Sequence, residues 1–339
     1  MKILALTHFR FTAAIIVVIF HFGRELNYLP GFLIRGPEMV TFFFVLSGFV
    51  LSIAYKGRIF SSTEFMFSRI TRIAPAYFMA LSLVVFSSYI QGKLYTSDFL
   101  LSIFFLQSWV PGYALVLNSP GWSLSVEMFF YVSFHFIFHF VNSNGRSVSV
   151  LCLQSFAVWL ATQVIGAVIL DGDWRGDNFL SYFPPMHLPG FILGIVGGKL
   201  FIEQPAFLKR FRGLGFVVAC LLFCAVVLEY CQVINAYVNT ANGLLSPVFL
   251  LLILVVAINN DELGFLKNRK MILLGEASYA LYLFQVPVHG VLKRTVLPFI
   301  GNDTLSFLCY LVVLVLVSVS VHVFFEKPAN RFFRSLIKN

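Results

Sequence analysis

Apolar runs long enough to cross a bilayer recur along this chain, near residues 9–28, 38–55, 74–91, 122–141, 148–169, 186–203, 213–231, 242–259, 272–292 and 305–325. A helix needs about 20 predominantly apolar residues to cross the hydrocarbon. Lipid admits only elements that satisfy their own backbone, which means helices or closed barrels. Runs of this length match helices rather than membrane strands. The expected fold is therefore an all-α polytopic membrane bundle of about ten transmembrane helices. Composition agrees, with 59% of the 339 residues hydrophobic, 12% charged and 41 phenylalanines. A soluble chain is about 25% charged, because its shell needs polar groups. No soluble domain, repeat or low-complexity linker interrupts the pattern, so residues 1–339 are expected to form a single domain.

Basic residues concentrate in cytoplasmic loops, and they orient the bundle. One shorter run, 97–110, decides the count. If it does not cross and the N-terminus is inside, 17 Lys and Arg fall inside and 6 outside, with Arg10 left within the first helix. If it crosses, every later loop flips and the bias is lost. Ten crossings with both termini cytoplasmic is the expectation, and 97–110 becomes a re-entrant or interfacial segment on the outer side. Lys2 and the apolar run after it resemble a signal peptide. Residues 20–30 offer no small-x-small cleavage site, so this segment is read as a retained first helix.

The net charge of +9 does not point to nucleic acid, because the charges sit in short clusters between apolar runs. No basic stripe with interleaved aromatics appears. Cys152, Cys220, Cys224, Cys231 and Cys309 all lie in or beside apolar segments. Cys220 and Cys224 are one turn apart, but no second pair completes a zinc site, and no metal is expected.

Ionisable groups inside a span cost at least a few kcal/mol and are functional candidates by default. Arg10 and His21 are eleven residues apart, almost three turns, so they project from one face about 16 Å apart along the axis. The plain alternative is a snorkelling arginine and a packing histidine. Thr41 to Leu51 reads as a close-packing face in which Ser47 and Gly48 let backbones approach. Arg69 and Arg72 open the third helix on a shared face and suit either phosphate oxygens or lipid headgroups. Glu127, Tyr131 and His135 follow at intervals of four, a polar stripe that should face the bundle interior. His139 continues it, but two histidines are too few for a metal. Tyr279 and Tyr282 read as interior or interface aromatics, and Glu326-Lys327-Pro328 as a charged exit from the membrane.

These elements together resemble the membrane acyltransferase-3 family. The matching elements are Arg10-x10-His21, Phe-Phe-Val-Leu-Ser-Gly-Phe at 43–49, Arg69-x-x-Arg72-Ile-x-Pro75 and Trp122-Ser-Leu-Ser-Val-Glu127. Leu274-Gly-x-x-Ser278-Tyr279-x-Leu-Tyr282-Leu-Phe and Glu326-Lys-Pro328 complete the set, so the resemblance runs through nearly the whole chain. The family often has a histidine where this chain has Gln285, and Arg and Glu where it has His187 and Gly190. Some members carry a hydrolase-like domain after an extra helix, and none is expected in the sequence up to Asn339.

The resemblance implies transfer of an acyl group, most often acetyl, from acetyl-CoA or a related thioester to a hydroxyl of an envelope carbohydrate, in a bacterial inner membrane. It implies His21 as general base with Glu127 in support, since histidine suits proton abstraction near neutrality. Arg69 and Arg72 are expected to hold the coenzyme A phosphates, and Arg10 to bind the same donor where its pantetheine arm passes toward His21. Trp122, Ser125, Tyr131, Tyr282 and Gln285 are expected to bind substrate. The expected partners are acyl-CoA, the carbohydrate acceptor and membrane lipid. The rival reading is a transporter or flippase for an anionic envelope precursor, though the two halves lack clear internal symmetry. His322 enters only as a bland control position.

Overall fold

The computed structural model describes residues 3–23, 26, 36–93, 95–143, 145–170, 179–215, 217, 243–264 and 268–337. The regular elements among them are all helical. They are α1 (Leu4–Phe22), α2 (Gly36–Tyr55), α3 (Ser62–Ile90), α4 (Thr96–Ile103), α5 (Trp122–Asn142), α6 (Val148–Leu170), α7 (Pro184–Glu203) and the short α8 (Pro205–Lys209). After these come α9 (Ser246–Ile258), α10 (Arg269–Thr295), α11 (Asp303–Val321), a π-turn over His322–Glu326 and α12 (Lys327–Ile337). Among the described residues 8 helices are long and apolar enough to span, and α9 is a shorter apolar helix. The run at 213–231, with Cys220, Cys224 and Cys231, lies almost wholly outside the described residues.

Two of the sequence boundaries shift. The third helix does not open at Arg69, because it begins at Ser62 behind a capping box. Ser61 Oγ accepts from Glu64 N at 3.1 Å and Glu64 returns the bond to Ser61 N at 3.2 Å. That reciprocal cap closes two orphan donors and lets the helix start in a polar stretch. Arg69 and Arg72 therefore stand on a formed helix, ahead of its internal Pro75. The 97–110 run forms the 8-residue α4 and a 3-10 turn at Gln107–Trp109. At 1.5 Å per residue an eight-residue helix reaches about 12 Å, far short of a bilayer.

This segment is pinned to α3 and α5 by polar groups. Tyr77 Oη donates to Ser102 O, Gln107 Nε2 to Gly121 O, and Ser108 Oγ to Trp122 O, at 2.8, 2.8 and 2.9 Å. Phe105 holds φ +58° in the turn, a conformation that costs about 1–3 kcal/mol unless its surroundings enforce it. Here Ser125 Oγ takes its carbonyl, and its ring stacks on Tyr77 at 4.6 Å.

Close approaches set the helix pairs that carry the site. A Cβ at Gly48 would collide with the Phe191 carbonyl, and one at Gly194 with the Val45 carbonyl, so α2 and α7 meet backbone to backbone. Likewise Gly275 lets α10 lie against Thr7 of α1. The first helix thus packs closely within the bundle. α1 and α10 run parallel, since Thr7 meets Gly275 and His21 meets Gln285.

Candidate active site

The interior polar groups fall into two levels joined by α1, α5 and α10. At the lower level Arg10 of α1 lies within electrostatic reach of Arg72, Glu127, Tyr131 and Glu326. Glu127 accepts a hydrogen bond from Tyr131 Oη, one turn on in α5. Arg69 is steered by aromatics, 5.8 Å from the Tyr55 ring and 5.6 Å from Phe65, with Tyr55 Oη at 3.5 Å. Tyr279 Oη donates to Ile73 O at 2.8 Å, tying α10 to α3 just before Pro75. Neither Arg10 nor Arg72 forms a hydrogen bond to a described residue, so each keeps its fork of donors.

The upper level, among the described residues, is built from hydrogen bonds between hydroxyl, amide, imidazole and carbonyl groups. Tyr282 Oη donates to Ser123 Oγ at 2.9 Å, and Ser123 Oγ to Pro120 O at 3.0 Å. Gln285, fully buried, donates from Nε2 to Tyr282 O at 2.7 Å. Its Oε1 lies 2.8 Å from His21 Nδ1. Beside His21, the Phe22 ring stands 4.2 Å from His289 and 5.3 Å from Tyr310.

The structure brings Arg10, Arg69, Arg72, Glu127 and Tyr131 together, and it brings Gln285 to His21, with Tyr282 reaching His21 only through Gln285. It does not bond Glu127 to His21. Glu127 instead lies between the levels, within electrostatic reach of both Arg10 and Tyr282. Trp122 is buried against Tyr182, His187 and Phe44 at 5.1, 5.4 and 6.0 Å. Ser125 is wholly buried and committed to Phe105 O. The α5 stripe fades toward its end, where His139 is exposed and His135 lies 4.4 Å from it beside Phe60. Among the described residues no group of three His, Cys, Asp or Glu side chains is placed to hold a metal ion.

Sequence reasoning missed a cluster on the π-turn. His322 Nδ1 lies 2.6 Å from Glu326 Oε2, and Glu276 Oε2 lies 3.2 Å from Lys327 Nζ and 3.7 Å from His322 Nε2. Glu326 reaches Arg10 and Tyr279 electrostatically. His322 is thus no bland control. The available signal was its i, i+4 spacing to a carboxylate in a segment matched as a family element.

A family model described as an acyltransferase domain, acyltransferase family 3, matches residues 3–323. The chain belongs to the acyltransferase-3 family. It is 27% identical over 271 residues to "Acyltransferase MdmB" of Streptomyces mycarofaciens, covering 73% of this chain and 67% of that protein. It is 25% identical over 304 residues to "Exopolysaccharide production protein ExoZ" of Rhizobium meliloti, covering 87% and 90%. It is 24% identical over 309 residues to "O-acetyltransferase OatA" of Staphylococcus aureus, with 81% of this chain against 49% of that protein. The chain thus spans about half the length of OatA. No solved structure matches it. Family membership and the apolar helices make this a membrane acyltransferase.

Proposed function

We propose that the protein transfers an acyl group, acetyl in the simplest case, from acyl-CoA to a hydroxyl of an envelope carbohydrate. It acts from a bacterial inner membrane with both termini in the cytoplasm. The observation that carries this reading is the pair Arg10 and Arg72, which lie within electrostatic reach of each other and form no hydrogen bond to a described residue. Arginine forks match phosphate oxygens in pairs, so two guanidiniums with free donors at one place suit a phosphate-bearing ligand. Together with Arg69 they would hold the phosphates of the donor. The pantetheine arm then runs up α1 toward His21, about 16 Å away at 1.5 Å per residue.

At the upper level His21 Nε2 takes the proton of the acceptor hydroxyl as its oxygen attacks the thioester carbonyl. The carbon–sulfur bond breaks, the acyl group passes to oxygen, and the coenzyme A thiolate leaves and takes up a proton. Glu127, between the two levels, holds Tyr131 and balances Arg10, with its charge also facing Tyr282. The relatives named for exopolysaccharide production and O-acetylation support a carbohydrate acceptor.

The test is thermal unfolding of detergent-purified protein with acetyl-CoA, coenzyme A or ATP. It is paired with transfer of labelled acetate to polysaccharide in membranes. A ligand at 100 times its Kd stabilises by about 2.7 kcal/mol. Stabilisation by acetyl-CoA with label transfer is the expected result. Transfer that proceeds from another acyl donor, with no response to acetyl-CoA, removes the donor assignment. Binding and transport of an anionic precursor without transfer would favour the flippase reading.

A further inference from the structure

Pro287 interrupts α10 immediately above the histidine level. A proline carries no N–H, so the carbonyl four residues earlier, that of Leu283, loses its helical donor. Asn118 Nδ2 supplies the missing donor at 3.2 Å. Tyr310 Oη of α11 donates to the carbonyl of Gln285 at 3.1 Å. The backbone around Gln285 is therefore tied from two sides, by the loop before α5 and by α11.

The side chain is oriented just as firmly. A backbone carbonyl only accepts, so the group 2.7 Å from Tyr282 O must be the amide nitrogen of Gln285. That turns Oε1 toward His21 Nδ1 at 2.8 Å. An amide oxygen also only accepts, so Nδ1 must carry the hydrogen. The neutral imidazole then has its lone pair on Nε2, the nitrogen that a general base uses here. The carboxylate expected to orient His21, that of Glu127, has its hydrogen bond from Tyr131.

We propose that Gln285 is the positioning residue of His21: held by Tyr282 O, its amide turns Oε1 to His21 and fixes the hydrogen on Nδ1, so that Nε2 is the nitrogen presented as base. This rests on the reading of His21 as the base. Among the described residues, the charged and titratable groups around this end include His289 on α10, Tyr310 on α11 and Glu38 in the first turn of α2, which begins where Gly36 packs on Phe20.

The test has two arms. In the first, Gln285→Leu and Gln285→Glu are assayed for kcat across pH, with acyl-CoA binding measured on the same preparations. Gln285→Leu removes the acceptor and should lower kcat tenfold or more while donor binding holds. Gln285→Glu places a negative charge on Nδ1–H, which favours the imidazolium. The base is then protonated up to higher pH, so the acid limb of the kcat profile should move upward. Wild-type kcat and an unshifted limb in both variants would reduce Gln285 to packing.

The second arm needs no Gln285 variant and so does not depend on their folding. Nitrogen chemical shifts of histidine-labelled wild-type protein, assigned by loss of the His21 signal in His21→Ala, report the tautomer directly. The Nδ1–H form is expected, and the Nε2–H form would overturn the proposal. Activity surviving in His21→Ala would instead sink the general-base reading, whatever tautomer is found.

Discussion

The two levels of the polar interior solve the same problem, polarity inside lipid, in opposite ways. At the arginine level the groups are charged, with Arg10 within electrostatic reach of Arg72, Glu127 and Glu326 and with donors left over. At the histidine level the hydrogen bonds of Gln285, Tyr282, Ser123 and Asn118 among the described residues run between dipoles, each oriented by a specific carbonyl or hydroxyl. Charge with unspent donors suits a ligand that brings its own charge and leaves again. A dipolar, fully oriented shell suits a group that must present one lone pair in one direction. On the proposed function, that difference would put binding at one level and chemistry at the other.

The largest effect expected from this division is at His21. Positioned general bases contribute roughly 10²–10⁴-fold in rate. His21→Ala should abolish detectable acyl transfer in membranes at matched expression, while acyl-CoA binding stays near wild type. Retention of more than about a tenth of the turnover would make it a packing residue and dissolve the distinction between levels.

The arginine level should answer in binding instead. Each charge-assisted hydrogen bond is worth about 1.5–3 kcal/mol, or roughly one to two orders of magnitude in Kd. Replacing Arg69 and Arg72 together by Ala should weaken acyl-CoA binding at least tenfold more than replacing Lys209 and Arg210. Equal losses from the two pairs would mean that the cluster only orients the bundle. Glu127→Gln separates the levels more finely. It keeps the shape and removes the charge, so kcat should fall about tenfold, within the range for assisted proton transfer, with donor Kd little changed. A change in Kd alone would place Glu127 wholly with the arginines.

Much of this was legible in the sequence, and the reason is the solvent. In lipid an apolar background makes each polar residue conspicuous, so Arg10, His21 and Glu127 stand out with no structure at all. Helical period then predicts that Glu127 and Tyr131 meet, and they do. The close-packing reading of Gly48 also holds, because a glycine inside a span has few other uses. What stayed hidden depends on contacts far apart in the chain. The His21–Gln285 bond joins residues 264 positions apart, and no periodicity encodes it. The early start of α3 was missed because residues 62–73 are polar enough to read as loop, although Ser61 and Glu64 carry the capping signal. His322 looked neutral because its partners, Glu326 and Glu276, matter only once the π-turn and α10 are adjacent.

The smallest effect expected concerns Ser125, which sequence reading placed among the substrate contacts. Its hydroxyl is fully buried and donates to the carbonyl of Phe105, the residue held at φ +58° in the segment before α5. Removing one partner of a buried hydrogen bond leaves an unsatisfied carbonyl and costs about 1–3 kcal/mol. Ser125→Ala should therefore lower thermal stability by a few degrees, since about 1 kcal/mol shifts Tm by roughly 2–4 °C in a larger domain. Acceptor KM and kcat should stay near wild type, because Tyr77 and Gln107 still hold the segment from its other side. The decisive comparison is between melting temperature and acceptor KM in the same preparation. A raised KM with an unchanged melting temperature would return Ser125 to the substrate site and extend the histidine level down α5. A lowered melting temperature with unchanged kinetics would confine that level to Ser123, Tyr282, Gln285 and His21, bounded below by a scaffold that only holds it in place.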